Sequence, residues 1–310
     1  MKGAIYLQIK YETINSIEDN HPIYLKKYIV ENAKASIQLI HGMQEYQERY
    51  TSFSEALANA GYNVYSSDLR GHGKSIINND DLGFFGHPNG LKNLLSDQVQ
   101  ISELILSENK EKSIYLFSHS FGTIIARNLL KTSDSLYDKV VFSGAPNYQA
   151  LACSGIFIGK IIRLFRGKKS RSKFLANLST GSFNKAVTNP TQKNEWLSVN
   201  EENVKNYNKD PLCGFTWTTN GYIDLFRAMS QLGKTKDYNV TDKNLPILFI
   251  AGEKDPCTGG KKGLESSFSL LKKAGYGNLN KIVYKGMRHE ILNEDCKDTV
   301  TKNVIDFYNK

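Results

Sequence analysis

Residues 118 to 122 read Ser-His-Ser-Phe-Gly, at the point where a strand-like apolar run gives way to a helical pattern. A serine on so sharp a turn presents its hydroxyl as a nucleophile, and the strained backbone needs small residues two positions to either side. That requirement separates the two serines. Ser120 has Ser118 and Gly122 as small neighbours, whereas Ser118 has Leu116 two residues before it. Ser120 is the candidate nucleophile; the plainer use of such a serine is as a helix N-cap.

A free hydroxyl needs a positioned base, itself oriented by a carboxylate. In a strand-turn-helix site the chain order is serine, acid, histidine. Of the six histidines, His21, His41, His72, His87, His119 and His289, only His289 follows Ser120. The acid should lie between them, just past a strand. Asp255 does so, in Glu-Lys-Asp-Pro directly after the run LPILFIAG, with Pro256 to stiffen the turn. Glu253 stands two residues away as the second choice. A developing oxyanion also needs preset backbone N–H donors. Phe121, next after the nucleophile, supplies one. The loop His41-Gly42-Met43-Gln44, after an early strand, supplies the other through Met43. His41 is read as a brace of that loop, and Arg70 and His72 as loop packing. No phosphate-cradling glycine loop, dinucleotide fingerprint or metal-ligand spacing is present, so neither cofactor nor metal is expected.

These residues need a scaffold that sets strand ends beside helix starts. Short apolar runs at 34–42, 62–68, 113–120, 139–146, 245–252 and 281–286 read as strands, and helical spacing fills 50–61, 91–108 and 121–131. A last helix covers the C-terminal TVTKNVIDFYNK, and IYLQIKYETI with PIYLKKYIV reads as an antiparallel opening hairpin. Alternating strands and helices with nearly continuous apolar strands imply an α/β class, a mostly parallel sheet covered on both faces. The alternation breaks over 147–240, which reads as a helical insertion before the last strands rather than a second domain. The expected division is a core of 1–146 and 241–310 with a cap of 147–240.

The chain of 310 residues, 40% hydrophobic and 23% charged, has globular composition. No apolar run approaches the roughly 18 residues of a membrane span, and the first ten residues lack a secretory pattern. Cys153, Cys213, Cys257 and Cys296 are far apart, which excludes a disulfide scaffold and fits a reduced cytosol. The net charge is +9, yet residues 139–193 hold ten Lys/Arg and no acidic residue, so one segment is basic. No nucleic-acid motif accompanies it, and a nucleic-acid partner is not expected. Within IFIGKIIRLFRGKK (156–169), Ile158, Ile161, Ile162 and Phe165 have helical one-face spacing, with Lys160, Arg163 and Arg166 on the other side. Such a helix either lines an acyl entrance and meets an anionic lipid surface, or buries its apolar face and solvates its charges.

Together the pieces HGM (41–43), DLRGHGKS (68–75), SHSFG (118–122), GEKDP (252–256) and GMRHEILNE (286–294) resemble α/β-hydrolases of the monoacylglycerol lipase and lysophospholipase branch, often grouped with serine aminopeptidases. The stretch 195–215 resembles the cap of bacterial members. Two positions depart from the family pattern: Ser118 stands where glycine is usual, and Cys257 follows the acid turn where an aliphatic residue is common. The resemblance implies the α/β-hydrolase fold and a serine esterase acting on monoacylglycerol- or lysophospholipid-type substrates. It implies a small-molecule ester or lipid partner and a cytoplasmic, or membrane-peripheral, location. A peptidase or acyltransferase with the same triad, or a non-catalytic binding protein on the same scaffold, stays open.

Overall fold

A computed structural model describes residues 6–109 and 113–310. Eight strands form one sheet: β1 (Leu7–Asn15), β2 (Pro22–Val30), β3 (Ser36–Ile40), β4 (Asn63–Ser67), β5 (Ile114–His119), β6 (Lys139–Ser143), β7 (Ile247–Gly252) and β8 (Leu279–Tyr284). They lie in the order β1-β2-β4-β3-β5-β6-β7-β8. The opening hairpin pairs Leu7 with Val30 antiparallel, β2 joins β4 antiparallel, and every later pairing is parallel. This is the α/β-hydrolase architecture expected.

Burial explains why the strands read as they do. β3, β4 and β7 are buried at every position, because helices cover both faces. The helices α1 (Thr51–Asn59) and α9 (Lys297–Asn309) bury Phe53, Leu57, Val300 and Val304 on one face. On the other, α2 (Gly90–Glu108), α3 (Phe121–Ser133) and α8 (Gly260–Ala274) bury Ile101, Ile124, Leu264 and Leu271. The sequence reading had no element at α8. Leu264, Phe268 and Leu271 nevertheless have one-face helical spacing and pack on the core.

Between β6 and β7 lie α4 (Ala152–Arg166), α5 (Lys173–Thr180), α6 (Glu201–Lys209) and α7 (Thr219–Gln231). Their only β-type pairing among the described residues is an isolated bridge between Arg171 and Thr218. Here one expectation needs correcting. α4 does not turn Ile158, Ile161, Ile162 and Phe165 inward as a face: Ile161 and Phe165 are 43% and 81% exposed. The buried residues of α4 are Ala152, Gly155 and Gly159. A Cβ at Gly155 would meet the Phe226 ring at 2.7 Å, and one at Gly159 would meet Ile223 Cγ1 at 2.6 Å. Small residues let α4 lie close on α7; Ile158 and Ile162 pack partly buried against the core, while Phe157, Ile161, Leu164 and Phe165 are exposed.

Candidate active site

Strand β5 runs straight into Ser120, which has φ 50° and ψ −119° immediately before the first residue of α3. Left-handed φ at a non-glycine residue is strained. The turn is held by the Ser120 N–H donating to Ser143 O of β6 at 2.9 Å, and by Thr123 N–H and hydroxyl donating to Ser120 O, each at 2.8 Å. Gly122 is needed because α3 starts against β3: a Cβ there would meet Ile40 O at 2.4 Å. Ser118 lies fully buried inside the sheet, its Oγ 3.4 Å from Val141 O. Of the two serines, Ser120 alone lines the cavity described below.

The loop after β7 carries Asp255, and the loop after β8 carries His289. Asp255 Oδ2 accepts from His289 Nδ1 at 2.9 Å, with both residues buried. Asp255 Oδ1 accepts the Cys257 N–H at 2.8 Å, which fixes the carboxylate plane. Glu253 is exposed and accepts the Gly286 N–H at 3.0 Å instead, away from the imidazole. The geometry thus brings Asp255, not Glu253, to His289. His289 Nε2 is buried and has no partner. Burial disfavours the His289 imidazolium, but the charge and hydrogen bond of Asp255 outweigh it and leave the pKa above its usual 6.5.

The residues expected to supply the oxyanion donors also converge here. Met43 and Phe121 line the same cavity as Ser120 and His289. Phe121 opens α3, where the first N–H groups have no carbonyl partner within the helix. His41 Nε2 accepts the Leu69 N–H at 2.9 Å while its Nδ1 lies 2.8 Å from Gly42 O, a brace between two loops. Arg70 is bound by Asp97 and Asp19, and buried His72 stacks on Phe85. Both are structural.

Two neighbours went unnoticed in the sequence. The His119 ring lies 4.7 Å from that of His289, and burial pushes its pKa down to about 3, so it packs as a neutral ring. Trp196, from the segment between β6 and β7, lies 4.9 Å from His289 on another side. Nothing in a single sequence marks a tryptophan over 90 residues away as a neighbour of the histidine.

The cavity has a volume of about 480 Å³. Its wall is mainly apolar, including Ile124, Leu151, Leu178, Phe183, Leu225 and Met229. Ile158, Ile161 and Ile162, which the acyl-entrance reading of the helix would bring to the substrate, do not line it; Leu151 and Ala152, at the start of α4, do. Asp255, Cys257 and His289 place donor atoms within 4.8 Å of one another, the one compact group of metal-ligand types among the described residues. Their hydrogen bonds already commit both Asp255 oxygens, and burial pushes the Cys257 thiol well up, away from the thiolate a metal needs. The trio fits a hydrogen-bonded acid–histidine pair better than a metal centre. A serine on a strained turn, a buried acid–histidine pair and an apolar cavity are the parts of an acyl-transfer site.

Known proteins place this arrangement. The family profile described as serine aminopeptidase, S33, matches residues 31–296. A monoacylglycerol lipase of Mycolicibacterium smegmatis is 23% identical over 86% of this chain and 85% of its own. A monoglyceride lipase homolog of Monkeypox virus is also 23% identical, over 93% of this chain and 92% of its own. The crystal structure of a carboxyl esterase from Bacillus coagulans in complex with glycerol superposes with a TM-score of 0.89, at 22% identity, over 98% and 99% of the two chains. With its profile matched from β3 almost to α9, the chain belongs to the serine aminopeptidase, S33, family of α/β-hydrolases.

Proposed function

We propose that this hydrolase cleaves carboxylic esters through an acyl-enzyme on Ser120, with monoacylglycerol- or lysophospholipid-type substrates. The observation that carries the reading is His289, bonded to buried Asp255 at 2.9 Å, in the wall of the apolar cavity that Ser120 also lines. Ser120 Oγ attacks the ester carbonyl while His289 Nε2 takes its proton. The oxyanion of the tetrahedral intermediate accepts from the Met43 and Phe121 N–H groups. The C–O bond to the alcohol then breaks, and His289 returns the proton to that oxygen. Water, deprotonated by the same nitrogen, releases the carboxylic acid and restores Ser120. Asp255 holds the imidazole and offsets the charge it acquires. An alcohol acceptor in place of water makes the same site an acyltransferase.

Residues 147–240 serve in this reading as a cap whose Leu151, Leu178 and Phe183 receive the acyl chain. The relatives named as lipases favour a lipid ester, and the family description favours a peptide. A free α-amine needs a carboxylate directed at the substrate. Glu45 and Glu290 line the cavity, but each is tied to Arg49. The ester reading is therefore preferred. A chain-length series of p-nitrophenyl esters and monoacylglycerols, run beside aminoacyl p-nitroanilides, tests it; turnover of the anilides alone would replace it with the peptidase.

Single-chain lipids reside in membranes and micelles, and peripheral contact with an anionic membrane is part of the proposal. No helix among the described residues is long and apolar enough to cross a membrane. The contact is made by α4 and α5, where Phe157, Leu164, Phe165 and Phe174 are exposed among Lys160, Arg166, Lys168 and Lys173. Leu151 and Leu178 are exposed too and line the cavity, so the surface is continuous with the site. Arg163, read from the sequence as a surface cation, donates instead to Asn220 Oδ1 at 3.0 Å. A cytoplasmic setting suits the four cysteines, all free thiols.

A further inference from the structure

The wall beside His289 carries charges that the proton transfers leave unused. Glu45 Oε1 accepts the Gly42 N–H at 2.6 Å and the Tyr50 hydroxyl at 2.7 Å. Its other oxygen accepts from Arg49 Nε at 3.1 Å. Arg49 Nη2 in turn pairs with Glu290 Oε2, and Asn203 Nδ2 donates to that same oxygen at 2.7 Å. The guanidinium also lies 4.9 Å from the centre of the Tyr207 ring. Both carboxylate side chains are only 4% exposed, and that of Arg49 11%. One cation therefore spans the gap between the loop that carries Met43 and the residue that follows His289, with Asn203 and Tyr207 of α6 closing over it.

We propose that Arg49 is a positioning residue, a strut that holds the oxyanion loop and the histidine loop in register through Glu45 and Glu290. The proposal rests on the assignment of Ser120, His289 and Asp255. A neutral bridge could fix distance; this one also sets charge. The titratable groups around His289 are Asp255, Glu290, Glu45, Arg49, His119 and Cys257. Burial holds His119 and Cys257 in their neutral forms. Arg288, the next residue back, turns away to the carbonyls of Glu195 and Ser198. What remains charged is three carboxylates against one guanidinium. Glu290 and Glu45 both favour the His289 imidazolium, and Arg49, ion-paired with both, carries the opposing charge. Removal of Arg49 leaves more negative charge at the imidazole and frees both loops. Removal of the Glu290 charge does the reverse electrostatically.

The test is the pH dependence of kcat/KM for a short p-nitrophenyl ester, whose acid limb reports the free-enzyme histidine. The variants are Arg49→Gln, Arg49→Lys, Glu290→Gln and the double Arg49→Gln/Glu290→Gln, each checked for fold by near-UV circular dichroism. Arg49→Gln should lower kcat by about tenfold or more with KM little changed, and should move the acid limb to higher pH. Glu290→Gln should move it to lower pH, and the double variant should return it toward wild type. Arg49→Lys keeps the charge but not the two-ended fork, so its limb should stay in place while kcat falls. Acid limbs and kcat unchanged in Glu290→Gln and Arg49→Lys would overturn the strut even if Arg49→Gln fails to fold. Full activity in Ser120→Ala would instead overturn the triad on which it rests.

Discussion

Asp255 and Glu253 stand two residues apart on the same turn, yet only one reaches His289. Asp255→Asn should reduce ester turnover by orders of magnitude, because an amide cannot hold the imidazole in its working tautomer. Glu253→Gln removes only an exposed contact to Gly286 and should leave kcat within about twofold. Steady-state kinetics on both variants decides the matter, and the opposite ranking would reassign the acid. The pH dependence follows from the same pair. His289 must be neutral to accept the Ser120 proton, and its pKa lies above the usual 6.5 because Asp255 outweighs burial. Activity should therefore rise with pH through a point above 6.5 and plateau beyond it, as read from kcat/KM. An acid limb below 6.5 would mean that Asp255 does not stabilise the imidazolium. At this scale the sequence was informative where steric rules are strict. The small neighbours of Ser120 and the lone downstream histidine identify two residues that line one cavity, and the acid after an apolar strand is the carboxylate that meets the histidine. His119, Trp196 and the Arg49 strut were illegible, since their roles depend on side-chain packing between segments far apart in the chain.

The element that departs most from its sequence pattern is α4. Its spacing of Ile158, Ile161, Ile162 and Phe165 suggests a buried stripe, but the closest packing is through Gly155 and Gly159, and only Ile158 and Ile162 of the four are partly buried while Ile161 and Phe165 are exposed. A periodicity argument weighs apolar size and misses the small residues that permit a close helix contact. The exposed result has a consequence for lipid binding. With both apolar and basic residues outward, contact should combine insertion with attraction to acidic headgroups. Sedimentation with anionic vesicles at low salt should show binding that weakens at high salt, because screening acts within about 10 Å at 0.1 M. Phe165→Ser/Leu164→Ser should lose binding to anionic and neutral vesicles alike. Lys160→Gln/Arg166→Gln/Lys168→Gln should lose only the salt-sensitive part. Equal binding of all three proteins would leave α4 as a solvated cap helix.

Across the whole molecule, parallel strands buried on both faces made the sheet readable, and the hairpin of β1 and β2 stood out by its mixed burial. Strand order was not readable, because apolar runs state burial but not which neighbour they pair with. The same sheet explains why the site lies where it does: Ser120, Asp255 and His289 all follow the carboxyl ends of β5, β7 and β8, where open α/β sheets bind their ligands. The segment 147–240 supplies part of the cavity wall, including Trp196 and Tyr207. The central claim, ester hydrolysis through Ser120, is tested most directly by release of fatty acid from a monoacylglycerol by wild type and Ser120→Ala, matched in concentration and fold. The account predicts steady turnover by wild type and a loss of about a thousandfold or more in the variant. Comparable fatty-acid release by both proteins would contradict it.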